Sequence, residues 1–160
     1  MLQRPVQITL TSPDATARLA AALAPILGPG DTLLLSGGIG AGKTHFARAL
    51  IQSLLPEPED VPSPTFTLVQ VYDTPDFEIW HSDLYRLSHA NEVVELGLPD
   101  AFETALCLVE WPDRLGDLAP RSALSLDFAL DPVEGVRQLA LDWSTPAWAA
   151  RLDGVLDAVA

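Results

Sequence analysis

Cysteine, lysine and long apolar runs are all scarce in this sequence of 160 residues. A single cysteine, Cys107, excludes an internal disulfide framework and a metal cage built from cysteines. No stretch approaches the roughly 20 consecutive apolar residues of a membrane-spanning helix. The N-terminus also lacks the basic-then-apolar layout of a secretory signal. We therefore expect a cytoplasmic protein with no membrane partner.

Positive charge is scarce as well. Nine lysines and arginines stand against 22 aspartates and glutamates, so the formal net charge is −13. A surface this acidic repels nucleic-acid phosphates, which disfavours direct, tight binding to DNA or RNA. It suits a protein partner that carries basic patches, although solubility explains the charge equally well.

The only lysine, Lys43, lies in a complete phosphate-binding loop of the G-x-x-x-x-G-K-[ST] type. In such loops backbone N–H groups surround a polyphosphate, the lysine reaches the terminal phosphates, and the hydroxyl ligates Mg²⁺. The loop therefore predicts binding of a nucleoside triphosphate with Mg²⁺. No second lysine exists for the N-K-x-D motif of guanine-binding proteins, so guanine specificity is disfavoured. The predicted nucleotide-binding residues of the loop are Gly37, Gly38, Ile39, Gly40, Ala41, Gly42, Lys43 and Thr44.

Strand and helix patterns flank this loop as its chemistry requires. Residues 31–36 form a short apolar run typical of a buried parallel strand, and residues 45–55 have helical spacing. An alternating strand is predicted over 6–10, and a helix capped by Ser12 is predicted to continue through Ile26. We expect an α/β fold in which helices flank a sheet like that of P-loop NTPases.

Two hairpins are predicted to add antiparallel strands to this sheet. The first pairs 65–71 with 77–82, which are rich in β-branched and aromatic residues, and the second pairs 122–130 with 136–143. The other predicted elements are a central strand over 105–109, short helices beginning with Asn91 as a cap and with Pro99, and a closing helix over 146–159. The length predicts one domain spanning 1–160, and the phosphate loop makes it a P-loop domain.

Glu110 directly follows the predicted central strand. In a parallel sheet the carboxyl ends of the strands border the ligand crevice, so this carboxylate can hold Mg²⁺ or orient an attacking water. The alternative is a strand-end carboxylate that pairs with a surface arginine. We expect Thr44 and Glu110 to bind the metal, and Lys43 and Glu110 to be catalytic.

Polar residues also lie around the first hairpin. Asp83 is a second candidate for the metal shell, and His81 or Arg86 could position phosphate or Asp83. In the alternative interpretation, Ser82 or Asp83 caps a helix, and the spacing favours neither. Thr65 could contact the γ-phosphate or metal as switch segments do, or belong to a stiff proline-rich connector.

Four segments, in this order and spacing, resemble the TsaE family (also called YjeE). Its members are the ATPase subunit of the bacterial machinery that makes threonylcarbamoyladenosine in tRNA. The segments are the phosphate loop at 37–44, SPTFTL at 63–68, HSDLYRL at 81–87 followed by 92–98, and LVEWPD at 108–113. Together they are far more specific than the phosphate loop alone. After Asp113 the likeness is thin.

The resemblance implies a Mg²⁺-dependent ATPase that acts with the proteins TsaB and TsaD and is weak without them. It implies that Glu110 is the second metal-linked acid, Asp83 the catalytic acid after the hairpin, and Thr65 a mobile switch threonine. Trp111 corresponds to a tryptophan near the nucleotide. The partners would then hold the tRNA, which agrees with the acidic charge of this chain.

Two positions depart from the family's pattern. Gly38 stands where an acidic residue is usual, and His45 where threonine or serine is usual; His45 follows the Mg²⁺ threonine, so we include it among the nucleotide contacts. As a further hypothesis, Arg137 and the turn at 11–16 frame the adenine. Two other functions stay open: a small-molecule kinase, and a nucleotide-gated protein-binding module in which hydrolysis is dispensable.

Overall fold

The computed structural model describes residues 2–159, and within them seven strands form one mixed sheet. The strands are β1 (Val6–Leu10), β2 (Thr32–Gly37), β3 (Val69–Asp73), β4 (Glu78–Asp83), β5 (Leu106–Glu110), β6 (Leu124–Leu130) and β7 (Arg137–Trp143). Their order across the sheet is β1-β7-β6-β2-β5-β4-β3. Strands β6, β2, β5 and β4 pair in parallel, whereas the pairs β1–β7, β6–β7 and β3–β4 are antiparallel.

Helices cover both faces of this sheet. They are α1 (Pro13–Leu23), α2 (Lys43–Leu54), α3 (Asn91–Glu95), α4 (Leu98–Thr104) and α5 (Ala147–Val159). Helices α1, α2 and α5 pack over one face, and α3 and α4 over the other. The predicted α/β fold, with a helix-flanked sheet and two antiparallel hairpins, is confirmed.

Alternation along the parallel strands explains how one sheet supports two cores. Leu33 and Leu35 of β2 belong to the buried cluster beneath α1, α2 and α5, whereas Leu34 packs against the cluster around α3 and α4. Successive side chains of a strand point to opposite faces, so a strand covered on both faces is apolar along most of its length. All five residues of β5 are buried accordingly.

The carboxyl ends of the parallel strands meet at one edge of the sheet. β5 ends at Glu110, which lies opposite Leu35 of β2 and opposite Asp83, the last residue of β4. Strand β2 ends at Gly37, and helix α2 begins six residues later at Lys43. The predicted acids and the phosphate loop therefore lie at the same edge.

Helix α1 is shorter than predicted. Ser12 Oγ accepts the N–H of Ala15 at 3.1 Å, as expected for an N-cap. The α-helix ends at Leu23, however, and Ala24–Ile26 form a 3₁₀ turn. Pro25 has no N–H to donate to the carbonyl four residues earlier, which ends the α-helical pattern.

Strand β3 begins later than the predicted 65–71. The Leu68 N–H donates to the Pro64 carbonyl at 2.7 Å, and Leu68 adopts a φ of 70°. The Leu68 carbonyl still accepts the Asp83 N–H of β4 at 2.9 Å, but regular strand pairing begins at Val69, opposite Ser82.

Two further predictions about local structure need correction. Asn91 is the first residue of α3 and not its cap; the carboxylate of Glu92 instead accepts the N–H groups of Ser88 and His89, each at 3.2 Å. A 3₁₀ segment at Pro112–Leu118 was not predicted. Between residues 2 and 159, no helix has the length and apolar character needed to cross a membrane.

Candidate active site

Helix α2 begins at the polar edge of the sheet with only backbone at its cap. The N-cap, Gly42, has a φ of 111° and makes no side-chain capping bond. The first bond of the helix runs from the Phe46 N–H to the Gly42 carbonyl at 3.0 Å. The N–H groups of Lys43, Thr44 and His45 thus have no intrahelical acceptor. Together with the helix dipole they form a site suited to phosphate.

A cavity of about 560 Å³ opens over this helix start. Its volume is typical of sites that bind small molecules. Every residue predicted for the site lines the cavity except Gly37 and Gly38. Pro13 and Thr16, from the turn proposed to frame the adenine, also line it. Tyr85 and Gly135 line it too and were missed by the sequence analysis; the loop glycine carries no sequence signal for such a role.

The Lys43 ammonium lies against the loop backbone. Its Nζ donates to the carbonyls of Gly37 at 2.6 Å and Gly38 at 2.9 Å, and the residue is only 5% exposed. Burial lowers the pKa of Lys43, and the carboxylates of Glu110 and Asp83 oppose that shift. Gly37 and Gly38 do not line the cavity, but their carbonyls hold the Lys43 ammonium in place.

Each oxygen of the Glu110 carboxylate has its own partner. Oε1 accepts the Thr44 hydroxyl at 2.8 Å, and Oε2 lies 2.7 Å from Nε2 of His81. A carboxylate of this kind only accepts, so the imidazole N–H donates. Glu110 is 1% exposed and His81 is fully buried. The alternative in which Glu110 pairs with a surface arginine is wrong.

Asp83 forms a second acidic part of the cavity wall. Its Oδ1 accepts the Tyr85 N–H at 3.0 Å, and its Oδ2 accepts the Thr65 hydroxyl at 3.2 Å. The predicted switch threonine is thus linked to the predicted catalytic acid. Strand β4 continues through Asp83 and no helix begins there, so the helix-cap interpretation is wrong. His81 contacts Glu110 rather than Asp83.

Two aromatic rings line the cavity beside these acids. Trp111 has φ 57° and ψ 55°, a left-handed conformation that costs a non-glycine residue roughly 1–2 kcal/mol. Its ring centre lies 4.2 Å from Lys43 Nζ. The Tyr85 ring lies 4.8 Å from that of Trp111. The only sequence signal for Tyr85 was its position two residues after Asp83.

Contacts to α1 and to the β6–β7 hairpin form another side of the cavity. Arg137 donates from Nε to the Ala41 carbonyl at 3.1 Å and from Nη2 to the Gly40 carbonyl at 3.2 Å. His45 Nε2 lies 3.0 Å from the Pro13 carbonyl. Arg137 therefore joins β7 to the phosphate loop, and His45 joins α2 to the start of α1.

The oxygen atoms near the helix start fit a divalent cation shared with a substrate. The Thr44 hydroxyl and Glu110 Oε1 are 2.8 Å apart, and Asp83 lines the same cavity. Over residues 2–159, no group of three or more His, Cys, Asp or Glu side chains could hold a metal by itself. Mg²⁺ is typically bound by one or two protein oxygens together with substrate phosphates. The residues present fit that arrangement.

The sequence matches a family model described as "Threonylcarbamoyl adenosine biosynthesis protein TsaE" over residues 10–139. This range contains every residue predicted for the site, from Gly37 to Arg137.

Several curated proteins named tRNA threonylcarbamoyladenosine biosynthesis protein TsaE are similar to this chain. The protein from Rickettsia bellii is 40% identical over 124 residues, which cover 78% of this chain and 86% of that protein. The Rickettsia conorii protein is 45% identical over 110 residues, covering 69% of this chain and 63% of the relative. The Bacillus subtilis protein is 34% identical over 116 residues, or 72% of each chain.

A solved structure has the same fold. The crystal structure of Bacillus subtilis YdiB superposes with a TM-score of 0.80 at 23% sequence identity. The superposition covers 98% of this chain and 97% of YdiB.

Proposed function

Because the chain belongs to the TsaE family of threonylcarbamoyl adenosine biosynthesis proteins, we propose that it is a Mg²⁺-dependent, ATP-hydrolysing subunit required for threonylcarbamoyladenosine modification of tRNA. It acts with TsaB and TsaD in this proposal, and its ATPase is weak without them. Its place of action is the cytoplasm.

One observation carries the proposal: the bond between Thr44 and Glu110 at the start of α2. The two residues are 66 positions apart in sequence, and their oxygens are 2.8 Å apart. A hydroxyl from a phosphate loop beside a carboxylate from a neighbouring parallel strand is the combination that Mg²⁺–nucleotide hydrolysis uses. Beside it, the free N–H groups of the helix start are suited to bind phosphate oxygens.

Each residue then has a defined task. Lys43 and the loop amides neutralise the β- and γ-phosphates of ATP, and Thr44 and Glu110 hold the metal. Bound Mg²⁺ would offset the charge of the phosphates during transfer. We assign Asp83, hydrogen-bonded to Thr65, to orient the water that attacks the γ-phosphorus. The bond between the γ-phosphorus and the oxygen that bridges it to the β-phosphate then breaks, giving ADP and inorganic phosphate, and the water's proton is released to solvent.

The acidic charge supports the proposal that this chain hydrolyses ATP while its partners bind the tRNA. At a net charge of −13, this chain repels tRNA phosphates, so binding of the tRNA requires another protein. In the proposal, ATP hydrolysis by this subunit therefore drives a conformational change in a complex, and the partners hold the tRNA.

The test uses Lys43→Ala and Glu110→Ala, with Arg121→Ala as a control outside the cavity. We expect Lys43→Ala to weaken ATP binding by more than about tenfold and to abolish phosphate release. Glu110→Ala should lower phosphate release by about 100-fold or more, with a smaller effect on ATP binding. Affinity is measured by titration, and phosphate release with TsaB and TsaD present.

Unchanged phosphate release in both variants would refute the proposal. A Glu110→Ala variant that binds ATP and still supports tRNA modification in cells would favour the nucleotide-gated module. Release of ADP that needs an added metabolite would favour the kinase.

A further inference from the structure

We propose that His81 is a positioning residue that fixes the orientation of the Glu110 carboxylate. This inference rests on the proposed ATP hydrolysis, in which Glu110 holds the metal. His81 is assigned no contact with nucleotide or metal; it acts through Glu110 alone.

His81 lies behind the Glu110 carboxylate and outside the wall of the cavity. Its Nε2 is 2.7 Å from Glu110 Oε2, and its side chain is fully buried. It is absent from the wall of the 560 Å³ cavity, which Glu110, Thr44 and Asp83 line. His81 and Glu110 belong to neighbouring parallel strands, β4 and β5, so the sheet fixes their separation.

The pattern of hydrogen bonds around the imidazole points to a functional role. Its Nδ1 is buried and has no hydrogen-bond partner among the described residues. Unpaired buried polar atoms destabilise a fold, but Thr32, Tyr72, Ser82 and Arg114 also have one each, so the inference rests on the partner of Nε2 and not on the unpaired Nδ1. An apolar side chain such as the neighbouring Ile79, on the same face of β4, would avoid this cost. The one bond that the imidazole makes is to Glu110.

The bond to Oε2 determines what Oε1 can do. A carboxylate held at one oxygen cannot rotate freely about its terminal torsion, which is otherwise broad. With Oε2 fixed by His81, Oε1 faces Thr44 and the cavity. Groups that orient a metal ligand from behind typically change metal affinity or activity by about 10- to 100-fold when removed.

Two variants of similar polarity distinguish a role of His81 in positioning Glu110 from a role in packing alone. His81→Gln places an amide N–H near the position of Nε2, where it reaches Glu110. His81→Asn is shorter and places its N–H near the position of Nδ1, away from Glu110. We expect His81→Gln to keep single-turnover phosphate release within about threefold of wild type, and His81→Asn to lower it by about 10- to 100-fold.

Binding measurements add a readout that does not depend on turnover. ATP affinity is titrated in EDTA and in Mg²⁺ for wild type and both variants, and thermal unfolding is followed without ligand. We expect equal ATP affinity in EDTA for all three proteins, and a weaker effect of Mg²⁺ in His81→Asn only. If both variants match wild type, or lose Mg²⁺ dependence equally while folded, the proposal is wrong.

The Glu110→Ala background tests whether His81 acts through Glu110. There, His81→Asn should cause no further loss of phosphate release, because the group it positions is gone. An additional loss of tenfold or more would contradict the inference while leaving the proposed function intact. A wild-type protein that neither binds Mg²⁺–ATP nor releases phosphate would instead overturn the proposed function, and the role of His81 with it.

Discussion

The role of Glu110 was predicted from the sequence, but its hydrogen-bond partners were not. Lys43, Thr44 and Glu110 were predicted because a motif defines the first two and a strand end defines the third. The bond between Glu110 and His81 was not predicted, since it depends on which strands are neighbours and in what register. The catalytic and metal roles of these residues stay predictions until they are measured.

Cys107 provides a test of burial at the residue scale. Burial in β5 raises the pKa of the Cys107 thiol from 9.0 to about 12. The folded state therefore favours the neutral thiol, and the stability that this contributes is full below pH 9.0 and is lost as the pH rises towards 12.

We expect wild type to lose about 2 kcal/mol more unfolding free energy than Cys107→Ala between pH 8.5 and 10.5. Urea unfolding under reducing conditions at both pH values measures this difference. Burial also raises the pKa of Tyr72, but this residue is present in both proteins and does not contribute to the difference. Equal losses in the two proteins would show that the thiol ionises freely in the fold.

At the scale of elements, the junction between β2 and the phosphate loop depends on Gly37. Its φ is 137°, and a Cβ there would lie 2.3 Å from the Phe128 carbonyl oxygen of β6. We expect Gly37→Ala to lower the free energy of unfolding by roughly 2–3 kcal/mol and to weaken ATP binding.

Gly38→Ala is the matched control for this junction, because a Cβ at Gly38 meets nothing within 4 Å. It should change stability by less than about 0.5 kcal/mol. Denaturant titration and ATP titration compare the two variants. A Gly37→Ala protein as stable as the control would mean that the loop backbone shifts without strain.

Arg137 links the β6–β7 hairpin to the same loop. Arg137 donates to the carbonyls of Gly40 and Ala41. In a trans peptide the C=O and the following N–H point in opposite directions, so these two bonds turn the N–H groups of Ala41 and Gly42 away from Arg137. We expect Arg137→Gln to weaken ATP binding by about 5- to 10-fold, and Arg121→Gln to have no effect.

Comparing ATP with inorganic triphosphate, which has no adenine, distinguishes this positioning role from the hypothesis that Arg137 frames the adenine. If Arg137 orders the loop, its substitution weakens the binding of inorganic triphosphate as much as the binding of ATP. If it contacts the base, triphosphate binding is unchanged while ATP binding falls. Calorimetric titration with both ligands measures this.

Most elements were predictable, whereas their ends were less so. The apolar runs of β2 and β5 and the helical spacing of α2 are strong local signals. The early end of α1 at Leu23 and the late start of β3 at Val69 reflect prolines and a turn whose effects the patterns did not show. The 3₁₀ segment at Pro112–Leu118 is short, and the spacing of Leu115 and Leu118 by three residues is too brief a pattern to predict it.

At the scale of the whole molecule, Arg151 fastens α5 to the end of the sheet away from the cavity. Its guanidinium donates to both carboxylate oxygens of Asp31, at 3.0 and 2.6 Å, and to the Ile26 carbonyl at 2.5 Å. It also stacks 4.0 Å from the ring centre of Trp148. Asp31 directly precedes β2, whereas the candidate site lies where that strand ends.

We expect Arg151→Met to lower the free energy of unfolding by about 1–2 kcal/mol without changing ATP affinity. The control is Arg4→Met, which breaks the exposed ion pair with Asp142 and should change stability by less than about 0.5 kcal/mol. Urea unfolding and ATP titration test both variants. A loss of ATP affinity in Arg151→Met would show that the two ends of the sheet are coupled.

The arrangement of the strands could not be read from the sequence. The order β1-β7-β6-β2-β5-β4-β3 depends on pairings between distant segments, such as β2 with β6. The hairpins were predictable because their strands are neighbours in the chain. That residues 1–160 form one domain stays a prediction, and residues 1 and 160 lie outside the described range.

Strand β5, whose five residues are all enclosed between β2 and β4, carries Glu110 at its tip. Amide protons in so protected a strand exchange with deuterium only when the whole protein denatures. We therefore expect the backbone at Glu110 to stay in the sheet while less protected parts of the protein open. In the proposed ATPase, a switch that times hydrolysis would therefore act outside β5, as the resemblance implies for the segment that contains Thr65.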